Sequence, residues 1–579
     1  MEGITPRVAR RVAPLVVVGA TLAAFSPILS NGFVDWDDDA NFVDNPAYRG
    51  FSRSQLVWMA TAFHRGVYQP LAWLFAGVKY QLGGVEPWVY HAGSWLLHGI
   101  AAVLVYLLAH RLFKRLAPDH SRAVALAATT AALLWAVHPL RVEAVSWASA
   151  QGYPLAVVFA LGSTLAWLRG REGHRGEFAL LRAWYGASLA LATCAYLAKP
   201  VAVTLPAVLV ILDWYLAPGR TAWAKSRIWL AVLPYAVPAA LVAAAAPLAR
   251  ARLGTASSVG YDLVDRLTQA CYGAGYYVVK TLIPTGLTVF TPLPHPFDPS
   301  EPRFVGAAIG MAVVGALIWW AARRAKGLAA AALAYLVLLA PVLGIIRQGD
   351  QLVADRYSYF AGIPLALALA GSLLLAATRV TPRRATGLMM VTLAAVAALG
   401  ASTWRLTHVW RDAGTLWAHA VAVDPASYQA HTNLGLFELG QGRYDSAVRA
   451  FDAAIALNPA SSNARFDRGL ALAKLGRTEE AIAGYQAGLA LDPVDATAHA
   501  HLGELLASVN RWSDAEAEYR SAIHLVPHPD LFNSLGIVLA QQGRLAEAAA
   551  AFRDALAIDP NHADARANLD MALELKPTQ

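Results

Sequence analysis

The sequence predicts an all-α protein in two parts: a polytopic membrane body of about 11 spans, followed by a helical solenoid. Three observations carry that reading. The 579 residues are 57% hydrophobic and only 15% charged, with a mean hydropathy of +0.42, too apolar for a soluble protein. Long apolar runs continue to about residue 405 and then stop. The remainder is Ala-rich, carries mixed charges at helical spacing, and repeats with a fixed period. The expected boundaries are therefore 1–405 for the membrane body and 406–579 for the repeats.

A spanning helix needs about 20 mostly apolar residues. Such runs fall at 12–30, 88–110, 123–139, 153–168, 183–198, 201–217, 228–248, 304–322, 328–346, 357–377 and 387–404. Orientation is read from the basic residues, which crowd the cytoplasmic side. Arg7/Arg10/Arg11, Arg111/Lys114/Arg115/Arg122, Arg169/Arg171/Arg175/Arg182, Arg220/Lys225/Arg227, Arg323/Arg324/Lys326 and Arg379/Arg383/Arg384 occupy alternate, short connections. That places the N-terminus in the cytoplasm, and the loops 31–87 and 249–303 and the repeats on the outer face. A span at Tyr272–Phe290 breaks the alternation, so 262–302 is read as an amphipathic, interfacial or re-entrant segment. Its Pro284, Pro292, Pro294, Pro296 and Pro299 argue for irregular backbone rather than a helix. The first run reads as an uncleaved anchor rather than a removed signal.

The pI of about 9.4 does not point to nucleic acid, because the basic residues serve topology. Cys194 and Cys271 lie in apolar or membrane-adjacent stretches and give no disulfide framework. Only 8 of the 47 basic residues are lysine, which fits a GC-rich bacterium and a cytoplasmic (inner) membrane location.

The most informative outer stretch is Phe33-Val34-Asp35-Trp36-Asp37-Asp38-Asp39, four carboxylates in five residues where the first helix leaves the membrane. Carboxylates at a membrane rim are functional candidates by default; the plainer reading is a solvated acidic turn.

From about 408 the period is explicit. Pro459, Pro493, Pro527 and Pro560 close successive units, and Gly435, Gly469, Gly503 and Gly536 open them. Ala447, Ala481, Ala515 and Ala548, then Phe451, Tyr485, Tyr519 and Phe552, hold matching positions. The pattern strongly resembles the tetratricopeptide repeat, with a half-repeat at 408–426 and units at about 427–460, 461–494, 495–527 and 528–561. Such solenoids present a groove for extended peptide. Asn433, Asp467, His501 and Ser534 form a candidate polar ladder along it; solvated residues with no ligand are the plainer alternative.

Four outer-face stretches in order resemble one family: the acidic stretch, His138-Pro139-Leu140-Arg141-Val142-Glu143-Ala144-Val145, Ala198-Lys199-Pro200-Val201-Ala202-Val203-Thr204-Leu205-Pro206, and Ala354-Asp355-Arg356-Tyr357-Ser358-Tyr359. They are similar to transmembrane tetratricopeptide-repeat proteins related to protein O-mannosyltransferases, with the GT-C glycosyltransferase fold, as a bacterial member. The resemblance implies transfer of a sugar from a polyprenyl-phosphate-linked donor to an acceptor on the outer face. It implies a carboxylate of the first outer loop as general base, matched by Asp37 and Asp38, with Asp35, Trp36 and Asp39 lining the site. The leaving phosphate needs cations. Arg356 is the first choice, since a guanidinium fork suits phosphate oxygens, and Lys199 and Arg141 are the second. An ion pair with an acid such as Asp350 is the plainer reading of Arg356, and snorkelling that of Lys199. His138, Glu143, Asp355 and Tyr357 complete the expected lining, with His138 reading equally well as a helix terminus. No segment has metal-ligand spacing, and divalent-metal dependence is open. One departure stands out: where the family usually has a basic residue followed by an acid, this chain reads Gln151-Gly152-Tyr153-Pro154.

The expectation is a membrane glycosyltransferase acting on a protein hydroxyl, with the repeats presenting an exported protein. The alternatives are transfer of a lipid-linked glycan to protein, lipid or polysaccharide, and a non-catalytic membrane-anchored repeat scaffold.

Overall fold

A computed structural model describes residues 6–172, 183–217, 228–253, 262–294, 297–345 and 351–574, without the side chains of 6–10 and 246–253. Arg175, Arg182, Arg220, Lys225, Arg227, Pro296 and Asp350 lie outside the described residues, as do the side chains of Arg7 and Arg10. The chain divides into two compact units, Met1–His419 and Ala420–Gln579.

In the first unit every expected apolar run falls on a helix. Among the described residues, seven helices are long and apolar enough to cross a membrane: Arg11–Ser30, Pro87–Leu116, Ala148–Arg171, Ile228–Ala245, Pro302–Arg324, Asp355–Ala377 and Pro382–Trp410. An eighth, Ser121–Ala136, continues into Pro139–Ser146 through a 58° bend. Pro139 forces that bend, because its ring disfavours helical backbone in the residue before it. The other three runs form the shorter apolar helices Ala183–Ala198, Pro200–Leu216 and Lys326–Val342.

The segment 262–302 differs from expectation in its first half. Leu263–Leu282 is a regular helix, opened by a capping box in which Asp262 and Asp265 accept from each other's backbone N–H. All the prolines lie beyond its end, so nothing interrupts it. After Pro284 the backbone is irregular, and Thr291–Pro292 pairs antiparallel with Gln351–Val353. The Tyr277 hydroxyl donates to the Ala354 carbonyl at 2.9 Å and accepts from the Ala354 N–H at 3.1 Å. The amphipathic helix thereby fixes the start of the Asp355-Arg356-Tyr357 turn.

The long loop after the first helix folds around its own small core of Phe42, Tyr48, Met59, Trp73, Ala76 and Tyr90. The Tyr48 and Tyr90 hydroxyls lie 2.7 Å apart at its centre. Asn31 Nδ2 donates to the Thr407 carbonyl at 3.0 Å, and Gly32 N–H to that of Arg411 at 2.8 Å. These bonds hold the base of the acidic stretch to the end of the last long helix.

The second unit stacks paired helices: Tyr428–Gly440 with Tyr444–Leu457, Ser462–Lys474 with Thr478–Leu489, Ala496–Ser508 with Trp512–Leu525, and Pro529–Gln541 with Leu545–Ile558, closed by Ala563–Glu574. Each pair turns through one left-handed residue, Gly442, Gly476, Asn510 and Gly543, with φ between 62° and 76°. A glycine meets that demand without steric penalty, and asparagine tolerates it. Replacing Gly476 by Ala should destabilise the repeats by about 1–2 kcal/mol, whereas Asn510→Gly should leave them as stable or up to about 1 kcal/mol more stable. Urea titration of the two variants, followed by far-UV circular dichroism, checks both signs.

Candidate active site

The acidic stretch is not one cluster of equivalent carboxylates. Asp38 is fully buried. One of its oxygens accepts from the Ser149 backbone N–H at 2.9 Å and from the Ser149 hydroxyl, the other from the Val34 N–H at 3.2 Å. Burial pushes its carboxyl up to about 7 against the pull of those bonds. Asp38 thus ties the loop after the first helix to the head of the Ala148–Arg171 helix, and it is closed off from solvent. Asp37 points outward, with 31% of its side chain exposed, and pairs with Arg65 at 2.8 Å. Burial raises its carboxyl above the ordinary range, while the charges of Arg65, Arg356 and Lys199 draw it back. Asp35 accepts from the Trp417 indole at 3.3 Å, and Asp39 is exposed at the first turn beyond. Trp36 packs edge-on against Phe290 and Trp417, at 5.6 and 5.1 Å between ring centres.

Three expected cations part ways. Arg356 is held by Glu143: its backbone N–H donates to one carboxylate oxygen at 2.7 Å and its guanidinium pairs with the other. Its second Nη donates to Gln351 at 2.8 Å, and the guanidinium lies over Trp147 and Tyr357 at 5.2 and 4.9 Å. Its acid partner among the described residues is therefore Glu143. Arg141 is a correction. It is 2% exposed and donates to the Ser358 carbonyl at 2.6 Å and the Ser358 hydroxyl at 2.8 Å, so it braces the turn after Arg356 rather than meeting a phosphate. A Cβ at Gly362 would stand 3.1 Å from its guanidinium, which leaves that position to glycine. Lys199 is the cation with no carboxylate in bonding distance among the described residues. It donates to Gln69 at 3.2 Å and stands 5.1 Å above the Tyr153 ring. Burial brings its ammonium down to about 8.

His138 caps the bent helix, its Nδ1 accepting from the Leu140 N–H at 3.2 Å and its Nε2 lying 3.0 Å from the Thr281 carbonyl. Both ring nitrogens are used, as a helix terminus requires. Asp355 is buried and accepts from the Tyr276 hydroxyl at 3.2 Å. No group of three or more His, Cys, Asp or Glu could hold a metal ion among the described residues.

Sequence reasoning did not find Arg65, Gln69, Ser149 or the role of Tyr153. Only the departure at 151–154 pointed towards them. There Gly152 lets the chain pass: a Cβ would lie 2.9 Å from the Ala198 carbonyl and 3.1 Å from Lys199 Cδ. Tyr153 then supplies the face under the ammonium.

Between the helix Pro200–Leu216, which follows Lys199, and Asp355–Ala377, which carries Arg356, runs an apolar cavity of about 460 Å³, lined by Phe113, Val157, Ile211, Leu338 and Leu367 among others. Ala202 and Phe360 also line it, three residues beyond Lys199 and four beyond Arg356.

In the repeats, the Asn433, Asp467, His501 and Ser534 positions are partly buried. His501 Nδ1 lies 3.3 Å from the Tyr485 hydroxyl of the preceding repeat, and Ser534 bonds Tyr519 in the same way. Those two serve the joints between repeats. Burial pushes the Asp467 carboxyl up to about 6.

Asp38 ionises with more difficulty in the folded chain than in the unfolded one, so the folded state holds that proton more tightly. Its contribution to stability is therefore largest at low pH and declines as pH rises from about 4 to about 7. Asp38→Asn should remove that slope, and Ser149→Ala should cost about 1–3 kcal/mol at neutral pH. Melting temperatures of the detergent-solubilised full chain across this range test both.

Two stretches, 438–496 and 501–563, match the family model for the tetratricopeptide repeat. Among curated proteins, the chain is 29% identical over 224 residues to protein O-mannosyl-transferase TMTC1 of Mus musculus, covering 35% of this chain and 22% of the relative. It is 30% identical over 198 residues to protein O-mannosyl-transferase Tmtc2 of Drosophila melanogaster, covering 32% and 20%. The matched stretch thus spans about a fifth of these relatives, and it lies in the C-terminal half of this chain. Among solved structures, YrrB, titled a TPR protein with an unusual peptide-binding site, is 21% identical, with 31% of this chain and 90% of that one covered and a TM-score of 0.26. A thermophilic TPR protein of Thermus thermophilus is 24% identical, with 31% and 95% covered and a TM-score of 0.24. The chain carries a tetratricopeptide-repeat domain behind a body of apolar helices and is, by that domain, TMTC-like.

Proposed function

We propose that the chain is a membrane glycosyltransferase that moves a sugar from a polyprenyl-phosphate-linked donor to a protein hydroxyl on the outer face of a bacterial cytoplasmic membrane. The observation that carries this reading is the partly exposed Asp37, facing Lys199 and Arg356, where the helices that run on from those cations flank an apolar cavity. The cavity takes the first isoprene units of the donor. Lys199 receives the phosphate, and Arg356, fixed by Glu143, forms the rigid wall beside it. Asp37 removes the proton from the acceptor hydroxyl as its oxygen attacks the anomeric carbon. The bond from that carbon to the phosphate oxygen breaks, and the charge left on the phosphate is met by the ammonium. Asp38 and Arg141 act through their neighbours, as positioning residues. The names of the curated relatives make mannose the first sugar to test and protein the first acceptor, with the repeats presenting it.

A non-catalytic scaffold is the second reading, favoured by Tyr153 standing where the family usually carries charge. One experiment separates the two. Asp37→Asn should lower transfer to exported protein by about 100-fold or more, read by mass spectrometry of glycopeptides from cells with matched protein levels. Unchanged glycosylation would leave the scaffold.

The pH profile follows from the same groups. Transfer should rise as Asp37 loses its proton, above the ordinary carboxylate range, and fall as Lys199 loses its own near 8. Lys199→Arg should move the alkaline limb to higher pH, because a guanidinium stays charged there.

A further inference from the structure

The ion pair between Asp37 and Arg65 has no place in the reaction just described, and it lies across the carboxylate that must accept a proton. Arg65 sits at φ 47° and ψ 37°, a left-handed backbone that a non-glycine residue rarely adopts. Holding it there costs on the order of 1 kcal/mol. The neighbours enforce it. His64 Nε2 lies 3.2 Å from the Ala40 carbonyl, its ring packs edge-on against Trp58 and Trp73, and the Val67 N–H donates to the His64 carbonyl at 3.0 Å. The backbone is thus fixed in the conformation that sends the guanidinium to Asp37, while the Arg65 side chain itself stays 54% exposed. A long, solvated side chain on a rigid base, closing on a partly buried carboxylate, is built to open.

We infer that Arg65 is a cap on Asp37, keeping the carboxylate paired until an acceptor hydroxyl displaces the guanidinium, so that acceptor entry and release of the base are one event. This rests on the reading of Asp37 as the base. The charged groups that face Asp37 are Arg65 from the outer loop, Lys199 from the turn after Ala183–Ala198 and Arg356 ahead of Ser358–Ala377. Asp38 precedes the π-helical turn Asp39–Val43 on the same loop, and His64 lies beside Arg65. Of the three cations, Arg65 alone bonds Asp37 directly among the described residues, and it is the most exposed. An exposed pair of this kind is weak enough to be exchanged for a ligand.

The test uses the full chain in nanodiscs, labelled with a water-soluble carbodiimide and glycine ethyl ester between pH 5 and 8, with sites read by peptide mass spectrometry. Arg65→Asn tolerates the left-handed backbone but removes the charge. It should label Asp37 about five- to tenfold more than wild type and move the half-labelling pH upward, while Asp38 stays protected. Arg65→Lys, which keeps a charge, should stay within about twofold of wild type. Unchanged Asp37 labelling in Arg65→Asn overturns the cap, as does labelling in Arg65→Lys that rises as far as in Arg65→Asn. If Asp38 becomes labelled in Arg65→Asn, the loop has opened, and the Arg65→Lys comparison decides. Because the readout needs no sugar transfer, an active Asp37→Asn chain would remove the base reading without touching the labelling result.

Discussion

The candidate site depends on one buried carboxylate. Asp38 gathers the Val34 N–H, the Ser149 N–H and the Ser149 hydroxyl around itself, and in doing so joins the loop after the first helix to the head of the helix that carries Tyr153. A buried carboxylate is tolerated only where such donors surround it. Without that joint the 31–86 loop would keep its own aromatic core, but Asp37 would have no fixed position opposite Lys199. The stability sacrificed at Asp38 is what sets the geometry next to it.

Two adjacent aspartates take different roles because of local backbone. Asp38 has α-helical dihedrals (φ −67°, ψ −34°) and leads into the π-helical turn Asp39–Val43. Successive side chains on α-helical backbone diverge by about 100° rather than lying together. One therefore points into protein and the other towards solvent. The pairing in sequence is a record of that turn, not of a carboxylate dyad sharing a proton.

This explains what could be read in advance and what could not. Apolar runs of sufficient length are written locally, so the helices of the body were legible, as were the repeats, whose period reappears in the left-handed turn residues from Gly442 to Gly543. The helix at Leu263–Leu282 was missed because the prolines were weighed over the whole segment, although all of them follow its end. In the site, residue types were legible but partners were not. Glu143 meets Arg356 across 213 positions, and Ser149 meets Asp38 across 111, separations that no local pattern encodes. Arg141 looked like a phosphate ligand by type, and only its burial against Ser358 shows that it is a brace.

The same pairing decides which cation is open to an anion. Using Arg356 alone would mean separating it from Glu143, and breaking a buried pair of this kind costs about 3–5 kcal/mol. Lys199 bonds the neutral Gln69 and faces an aromatic ring, so in the proposed reaction an incoming phosphate displaces one uncharged acceptor and leaves the Arg356–Glu143 pair intact. Burial of the ammonium is only partly compensated, with its proton held to about 8. An arriving negative charge relieves that penalty and gains the attraction together. In the proposed reaction the guanidinium contributes its fixed field without moving, held by Glu143. In the proposed arrangement a second choice by type, a lysine in a short turn between two apolar helices, takes the phosphate because its bonded partner is the uncharged Gln69.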